Sequence, residues 1–269
     1  MSYEVIDGKY FTGNLIPQHK PTTFAVYEDS QPMLSLAEIE KIVTAENRTK
    51  ARSRFPAEQW IRNQGGRGSC NGYAGAWALA RARVMCGLPF EALSGEYLYS
   101  MINGGRDGGS MLDDGMQAIT EKGVARESLV RHESYLWNQM SEDARKDAPR
   151  FKAFECYRVN TELGLASGLS LGFIGVVAVH ASNAWGSLSN GVSRRSLGPG
   201  NHAVVCQDVL VSGGKLLFDI ANSWGKDWGD NGQTMNTWND HFIEPNRNHV
   251  FYLIRGVTDD PQNPAPEPK

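Results

Sequence analysis

The spacing of apolar positions divides the chain into two regimes. Between residues 35 and 48, SLAEIEKIVTAENR places Leu36, Ile39 and Val43 on one helical face, and a Ser35 to Glu38 capping box opens the segment. This predicts an amphipathic helix that packs its stripe on another element. After Cys70, NGYAGAWALARARVMCG carries Tyr73, Trp77, Ala80 and Val84 at i, i+4, i+7 and i+11 and closes at Gly87 and Pro89. Cys70 therefore falls at a helix N-terminus. SGEYLYSMI (94–102) and SMLDDGMQAITEK (110–122), each led by serine and the second closed by Gly123, predict two more helices.

From about residue 170 the period changes. LGFIGVVAVH, HAVVCQDVLV, KLLFDIANSW and HVFYLIRGV are short, rich in Val, Ile and Phe, and bounded by Gly or Asn clusters, which predicts strands. Helices first and strands later point to an α+β fold with two lobes and a cleft between them. Residues 1–54 read as an N-terminal segment with one amphipathic helix, residues 55–257 as the main domain, and 258–269 (TDDPQNPAPEPK) as a Pro-rich polar tail expected to be disordered.

Composition narrows the function. The 269 residues are 41% hydrophobic and 21% charged, enough for a proper core. A net charge of −3 gives no basic surplus for phosphates, so neither nucleic acid nor an anionic membrane is expected as partner. The start, MSYEVIDGKYF, lacks the basic and apolar regions of a signal peptide, and no stretch approaches a membrane span. A cytoplasmic location is expected, with a virion or non-classical export as alternatives. The four cysteines, Cys70, Cys86, Cys156 and Cys206, form no C-x-x-C pair, against a zinc knuckle or thioredoxin-type site. Cys86, Cys156 and Cys206 read as buried small hydrophobes.

Cys70 is different. It follows the Gly-rich turn IRNQGGRGS and opens a helix, where the positive end of the macrodipole favours thiolate over thiol. A nucleophilic thiolate needs a histidine to share its proton. Of the six histidines, His202 alone has a suggestive frame: in GPGNHAVVC a Gly/Pro turn delivers it onto the first residues of a strand. In ANSWGKDWGDNG, Asn222 offers a neutral amide able to orient an imidazole.

NQGGRGSCNGYAGAWAL, GPGNHAVVCQDV and IANSWGKDWGDNG resemble, in order, the three motifs of the papain-like cysteine peptidases. His202 follows Cys70 by 132 residues and Asn222 by 152, the interval by which the family is recognised, so the spacing belongs to the resemblance and adds nothing independent. The resemblance covers roughly residues 55–256 and implies a papain-like two-lobe fold, with a helical N-terminal lobe, an antiparallel β-rich C-terminal lobe and the active site in the cleft. It implies Cys70 as nucleophile, His202 as general base and later acid, Asn222 as the residue holding the ring, and Gln64 as oxyanion donor. Trp224 resembles the tryptophan that shields the His to Asn bond, and Gly108 and Gly109 the glycines against which a substrate backbone pairs. Trp228 reads equally as core or substrate-facing.

A cysteine-type peptidase acting on peptide or protein substrates is the implied activity, with no metal or organic cofactor. An inactive papain-like binding or regulatory protein, or a thioester-forming amidase or acyl transferase, remain alternatives. The helical pieces are more similar to microbial and viral members than to secreted ones, implying a microbial or phage source. Arg67 stands where the family has a disulfide cysteine, whose partner is also missing, so an unstapled loop in a reducing compartment is expected. Its guanidinium is expected either in solvent or folded back on the Cys70 sulfur. Asn71 replaces the usual tryptophan. Residues 1–54 show no pro-segment motif, leaving open whether they block the cleft, are removed, or pack on a lobe.

Overall fold

Helix Cys70–Met85 runs through the centre of the protein, seen in a computed structural model that describes residues 4–15, 24–45, 54–242 and 251–257. Every residue from Cys70 to Arg83 is buried, so the stripe read from the sequence is only part of the surface that meets protein. Gly72 makes this close fit possible. A Cβ there would lie 2.3 Å from the Gly95 carbonyl oxygen, so helix Gly95–Ile102 crosses backbone to backbone. Ser94 caps that second helix as expected, accepting from the Tyr97 amide at 3.1 Å. The next helix starts later than predicted, at Leu112, and runs to Glu121. Ser110 does not cap it; Ser110 and Met111 are extended, and the Ser110 carbonyl accepts from Asn71 Nδ2 at 2.5 Å.

Strands β1 (Val5–Ile6) and β2 (Tyr10–Phe11) form a hairpin, and β3 (Asn14–Leu15) pairs in parallel with β4 (Ser110–Met111). The remaining strands are β5 (Ala153–Val159), β6 (Ile174–Val179), β7 (Leu188–Ser189), β8 (Val192–Ser193), β9 (His202–Ser212), β10 (Lys215–Ala221), β11 (Gln233–Asn236) and β12 (Phe251–Val257). They make one sheet in the order β5-β12-β6-β9-β10-β11-β8-β7. Its pairings are antiparallel except β8 with β11.

The sheet is covered on both faces. Ala203 and Val205 of β9 join the cluster around helix Cys70–Met85, whereas Val204 and Cys206 face Ile39, Val43 and Leu165 on the other side. This alternation follows from the two-residue period of a strand. Ile39 and Val43 belong to helix Leu36–Ala45, whose capping box forms: the Ser35 amide donates to Glu38 Oε2 at 2.8 Å and Ser35 Oγ accepts from the Glu38 amide at 3.3 Å. The rest of that predicted helix, residues 46–48, lies outside the described residues, as does the 258–269 tail.

Several elements escaped the sequence reading, two of them long. Strand β5 sits at the sheet edge and mixes charge with apolar residues, with Glu155 paired to Arg255 and Phe154 half exposed. Helix Glu162–Ser170 contains Gly164 and Gly168, poor helix formers. Close packing explains Gly168: a Cβ there would lie 2.2 Å from Leu253 Cδ1. Cys156 and Cys206 are buried as expected, but Cys86 is exposed. It is the C-cap of the central helix, where the chain turns outward through Gly87 at φ +80°. Among the described residues no helix is long and apolar enough to cross a membrane.

Candidate functional site

Three elements converge at the end of the sheet. Cys70 is the first residue of its helix, His202 the first residue of β9, and Asn222 the first residue after β10. Antiparallel pairing of Ala221 with Val205 brings the chain leaving β10 beside the chain entering β9. His202 Nε2 then lies 2.8 Å from Asn222 Oδ1, which also accepts from the Ser223 amide at 2.8 Å. An oxygen that already accepts makes Nε2 the donor. His202 Nδ1 is left buried without a partner among the described residues. The N–H of Ala203, next in sequence, acts on the Cys70 sulfur.

Aromatic rings close over the imidazole. Trp224 stacks on His202 with centroids 4.3 Å apart and an interplanar angle of 27°, and Trp185 meets the same ring edge-on at 5.8 Å. Trp228 packs behind, 4.5 Å from Trp185. Trp185 was not singled out by the sequence, since an isolated tryptophan in a loop carries no periodicity and no motif. With Tyr10, Ser182, Asp227 and the other two tryptophans it lines an open cleft of about 170 Å³.

Gln64 is fixed at both ends of its amide. Oε1 accepts from Ser223 Oγ at 2.6 Å, while Nε2 donates to the Arg67 carbonyl at 2.7 Å and to the Phe11 carbonyl at 3.1 Å. The second acceptor introduces a feature the sequence did not reveal: residues 10–15 lie in the cleft. Tyr10 stacks on Trp224 at 4.8 Å, and the Phe11 carbonyl also accepts from Trp224 Nε1 at 2.9 Å. The Gly13 amide donates to the Asn201 carbonyl at 3.2 Å, and the Gly13 carbonyl accepts from the Ser110 amide at 2.8 Å. Asn14 anchors the far side through Nδ2 to the Gly200 carbonyl at 2.6 Å.

The passage admits only bare backbone. A Cβ on Gly13 would lie 2.1 Å from the Gly68 carbonyl oxygen, and one on Gly109, itself at φ +81°, would lie 2.4 Å from the Gly13 carbonyl oxygen. Gly109 thus lies against the backbone of Gly13. The Gly108 amide turns away from that backbone and donates to the Arg106 carbonyl at 3.2 Å.

Covering the cleft changes its electrostatics. Burial pushes the Cys70 thiol up to about 12, against the backbone N–H groups of Ala203, Asn71, Gly13 and Cys70 itself, which favour the thiolate. Burial likewise pulls His202 down to about 4, against its bond to Asn222. The helix terminus therefore acts as expected in direction, but desolvation outweighs it and both groups stay neutral in the covered cleft. Arg67 takes neither expected position. Its guanidinium pairs with Asp107 at 3.3 Å and lies 4.7 Å above the Tyr135 ring.

A buried relay ties the three site-bearing elements together farther back. Arg81, on the Cys70 helix, donates through Nε to Gln207 Oε1 at 2.9 Å, and Gln207 Nε2 donates to Asp219 Oδ2 at 2.9 Å. Gln207 is available because β9 and β10 slip register there, between Asp219 and Ile220. The sequence offers no signal for this, as Arg81 sits within a helical run and Gln207 within a strand pattern. Among the described residues no cluster of three or more His, Cys, Asp or Glu side chains is arranged to hold a metal ion.

The two-lobed arrangement, with a thiol opening the central helix and an imidazole opening a facing strand, defines a papain-like architecture. The chain belongs to the papain family of cysteine proteases, whose profile matches residues 47–244. A viral cathepsin from Choristoneura fumiferana nuclear polyhedrosis virus is 27% identical over 179 residues, covering 64% of this chain and 53% of that protein. The chain thus spans about half the length of that relative. Xylellain, a cysteine protease from Xylella fastidiosa, shares the fold with a TM-score of 0.62 at 21% identity, over 91% of this chain and 95% of its own. ProCathepsin B S9 from Trypanosoma congolense does so with a TM-score of 0.61 at 15% identity, over 90% and 84%.

Proposed function

We propose that the protein hydrolyses peptide bonds through a covalent thioester on Cys70. The observation that carries this reading is the His202 ring: Nε2 is held by Asn222 at 2.8 Å, and Nδ1 is buried with no partner among the described residues. An imidazole so held has one nitrogen left for proton transfer to and from the thiol. Cys70 gives its proton to His202 Nδ1, and sulfur attacks the peptide carbonyl carbon as the C=O π pair moves to oxygen. The resulting oxyanion is stabilised by Gln64 Nε2 and the Cys70 N–H. As the tetrahedral centre collapses, the C–N bond breaks and His202 returns the proton to the leaving amine. Water, deprotonated by the same ring, then cleaves the thioester and restores the thiol.

Residues 4–15 act in this reading as a cover over the cleft. Its support is that Phe11 already presents a peptide carbonyl to Gln64 Nε2, at 3.1 Å. Farther along, Asn14 and Leu15 pair in parallel with Ser110 and Met111, which seats the segment against the loop that carries Gly109.

Exposure of a denatured proteome to the full chain tests the assignment by peptide mass analysis. Wild type and Cys86→Ala should give the same new termini, and Cys70→Ala none. Equal loss from both substitutions, or products from Cys70→Ala, would overturn it.

A further inference from the structure

The channel that holds Gly13 has two walls, and they come from different parts of the chain. One is the turn before Cys70, ending at Gly68; the other is the loop that carries Gly109 and Ser110. All four thiols are free, so no covalent bond joins the walls. A carboxylate only 10% exposed, that of Asp107, links them directly.

Its oxygens are shared between the two sides. Asp107 Oδ1 accepts from the Gly68 amide at 3.0 Å and from Tyr99 Oη at 2.9 Å, and Tyr99 Oη in turn accepts from the Gly109 amide at 3.1 Å. Asp107 Oδ2 accepts from Arg67 Nη1 at 3.3 Å. The result is an unbroken chain of hydrogen bonds from Gly68 through Asp107 and Tyr99 to Gly109, the two residues between which Gly13 passes. Burial, followed by the neighbouring Asp107 charge, raises the Tyr99 phenol well above its ordinary range, so it stays a donor to the carboxylate. Asn71 braces the same loop from the helix start through the Ser110 carbonyl.

We propose that Asp107 is a positioning residue that sets the width of the peptide channel between Gly68 and Gly109, for the chain's own residues 4–15 and for a substrate backbone alike. The gap is narrow enough that a Cβ on Gly13 would collide with the Gly68 carbonyl and one on Gly109 with the Gly13 carbonyl, so a small displacement of one wall changes how tightly a backbone is held. A carboxylate accepting several donors holds that displacement down more firmly than a neutral acceptor does. The substrate half of the proposal rests on the peptidase reading above; the half concerning residues 4–15 does not.

The test therefore uses the full chain and needs no turnover. Alkylation by iodoacetamide at one fixed pH, followed at each thiol by mass spectrometry, would compare wild type, Asp107→Asn, Tyr99→Phe and the double variant. Loosening the channel frees residues 4–15 more often, so Cys70 should react about tenfold faster in each single variant, the effect of one charge-assisted hydrogen bond. The double variant should react no faster than the quicker single one, because the links act in series. Cys156 and Cys206, buried elsewhere, should keep their rates, and exchange protection should be lost at the Gly68 or Gly109 amide but not along helix Cys70–Met85. An unchanged Cys70 rate would overturn the proposal. So would a parallel rise at Cys156 and Cys206, which reports general loosening, or full additivity, which reports two unrelated contacts. Should Asp107→Asn not fold, Tyr99→Phe alone decides by the same comparison. A protein with no peptidase activity that still shows this pattern would sink the catalytic reading and leave the channel assignment standing.

Discussion

Both acid and alkali should expel residues 4–15 from the cleft, and the two limbs have different origins. The covered state holds His202 neutral, with its pKa at about 4 against an ordinary 6.5. A depressed pKa contributes stability that is complete above 6.5 and is lost as pH falls through 4, because the uncovered ring binds a proton that the covered ring refuses. The full difference is about 3 kcal/mol, of which Trp224 and Trp185 retain a share after the segment leaves, so at pH 4.5 the covered state is weakened by at most on the order of fiftyfold relative to pH 7. Cys70 works in the opposite direction: its pKa of about 12 lies above an ordinary 9.0, so its contribution is complete below 9 and is lost as pH rises toward 12. Occupancy of the cleft should form a plateau between about pH 6.5 and 9. The indole N–H of Trp224 reports it by NMR, since that proton is bonded to the Phe11 carbonyl only when the segment is in place. His202→Gln should abolish the acid limb and Cys70→Ala the alkaline limb. Acid release that persists in His202→Gln would refute the reasoning.

Other expectations are simpler. Gln64→Ala should lower kcat by about a hundredfold or more with little change in KM, as for a donor that acts on developing charge, and a change confined to KM would argue against that role. Arg81→Met should cost about 3 kcal/mol of stability in denaturant titrations, because Gln207 and the buried Asp219 carboxylate lose the cation they share; a loss under about 1 kcal/mol would mean the relay is not stabilising. Reductant should leave Tm unchanged, as the four thiols are unpaired, and a drop of several degrees would reveal a bridge. Gly13→Ala should speed alkylation of Cys70 in the full chain, since its Cβ would meet the Gly68 carbonyl oxygen at 2.1 Å; an unchanged rate would mean the segment does not thread the channel in solution.

The elements legible in the sequence are those specified locally. The Ser35 capping box, the helix beginning at Cys70 and the run His202–Val211 each carry their own period or terminal signal, and each forms. The main elements that were missed owe their form to partners far away. Gly164 and Gly168 weaken a helix on propensity, yet Gly168 is needed for the close approach of Leu253 on β12, 85 residues later. Ser110 has the composition of an N-cap, but Asn71 claims its carbonyl and holds it extended. Cys86 reads as a buried thiol on its residue type alone, and only the outward turn at Gly87 exposes it.

The candidate site divides in the same way. Cys70, His202, Asn222 and Gln64 stand in motifs, so their identities were legible, and the fold assembles the His202 to Asn222 and Gln64 to Ser223 bonds. The state of the site was not legible, because it depends on which backbone fills the cleft. Tyr10 to Asn14 have no distinctive composition, and their contacts are mostly made by main-chain groups to Gln64, Trp224, Ser110 and Asn201. Main-chain recognition leaves little trace in residue type beyond a glycine where the walls are closest, and Gly13 is that trace. It also constrains the proposed mechanism. Gln64 Nε2 already serves the Phe11 carbonyl in the covered state, so a substrate carbonyl entering the oxyanion position must compete with it for the same donor. Covering and turnover are then mutually exclusive at a single amide, and whatever frees Phe11 from Gln64 and Trp224 also returns solvent to Cys70 and His202, restoring the pair's capacity to ionise.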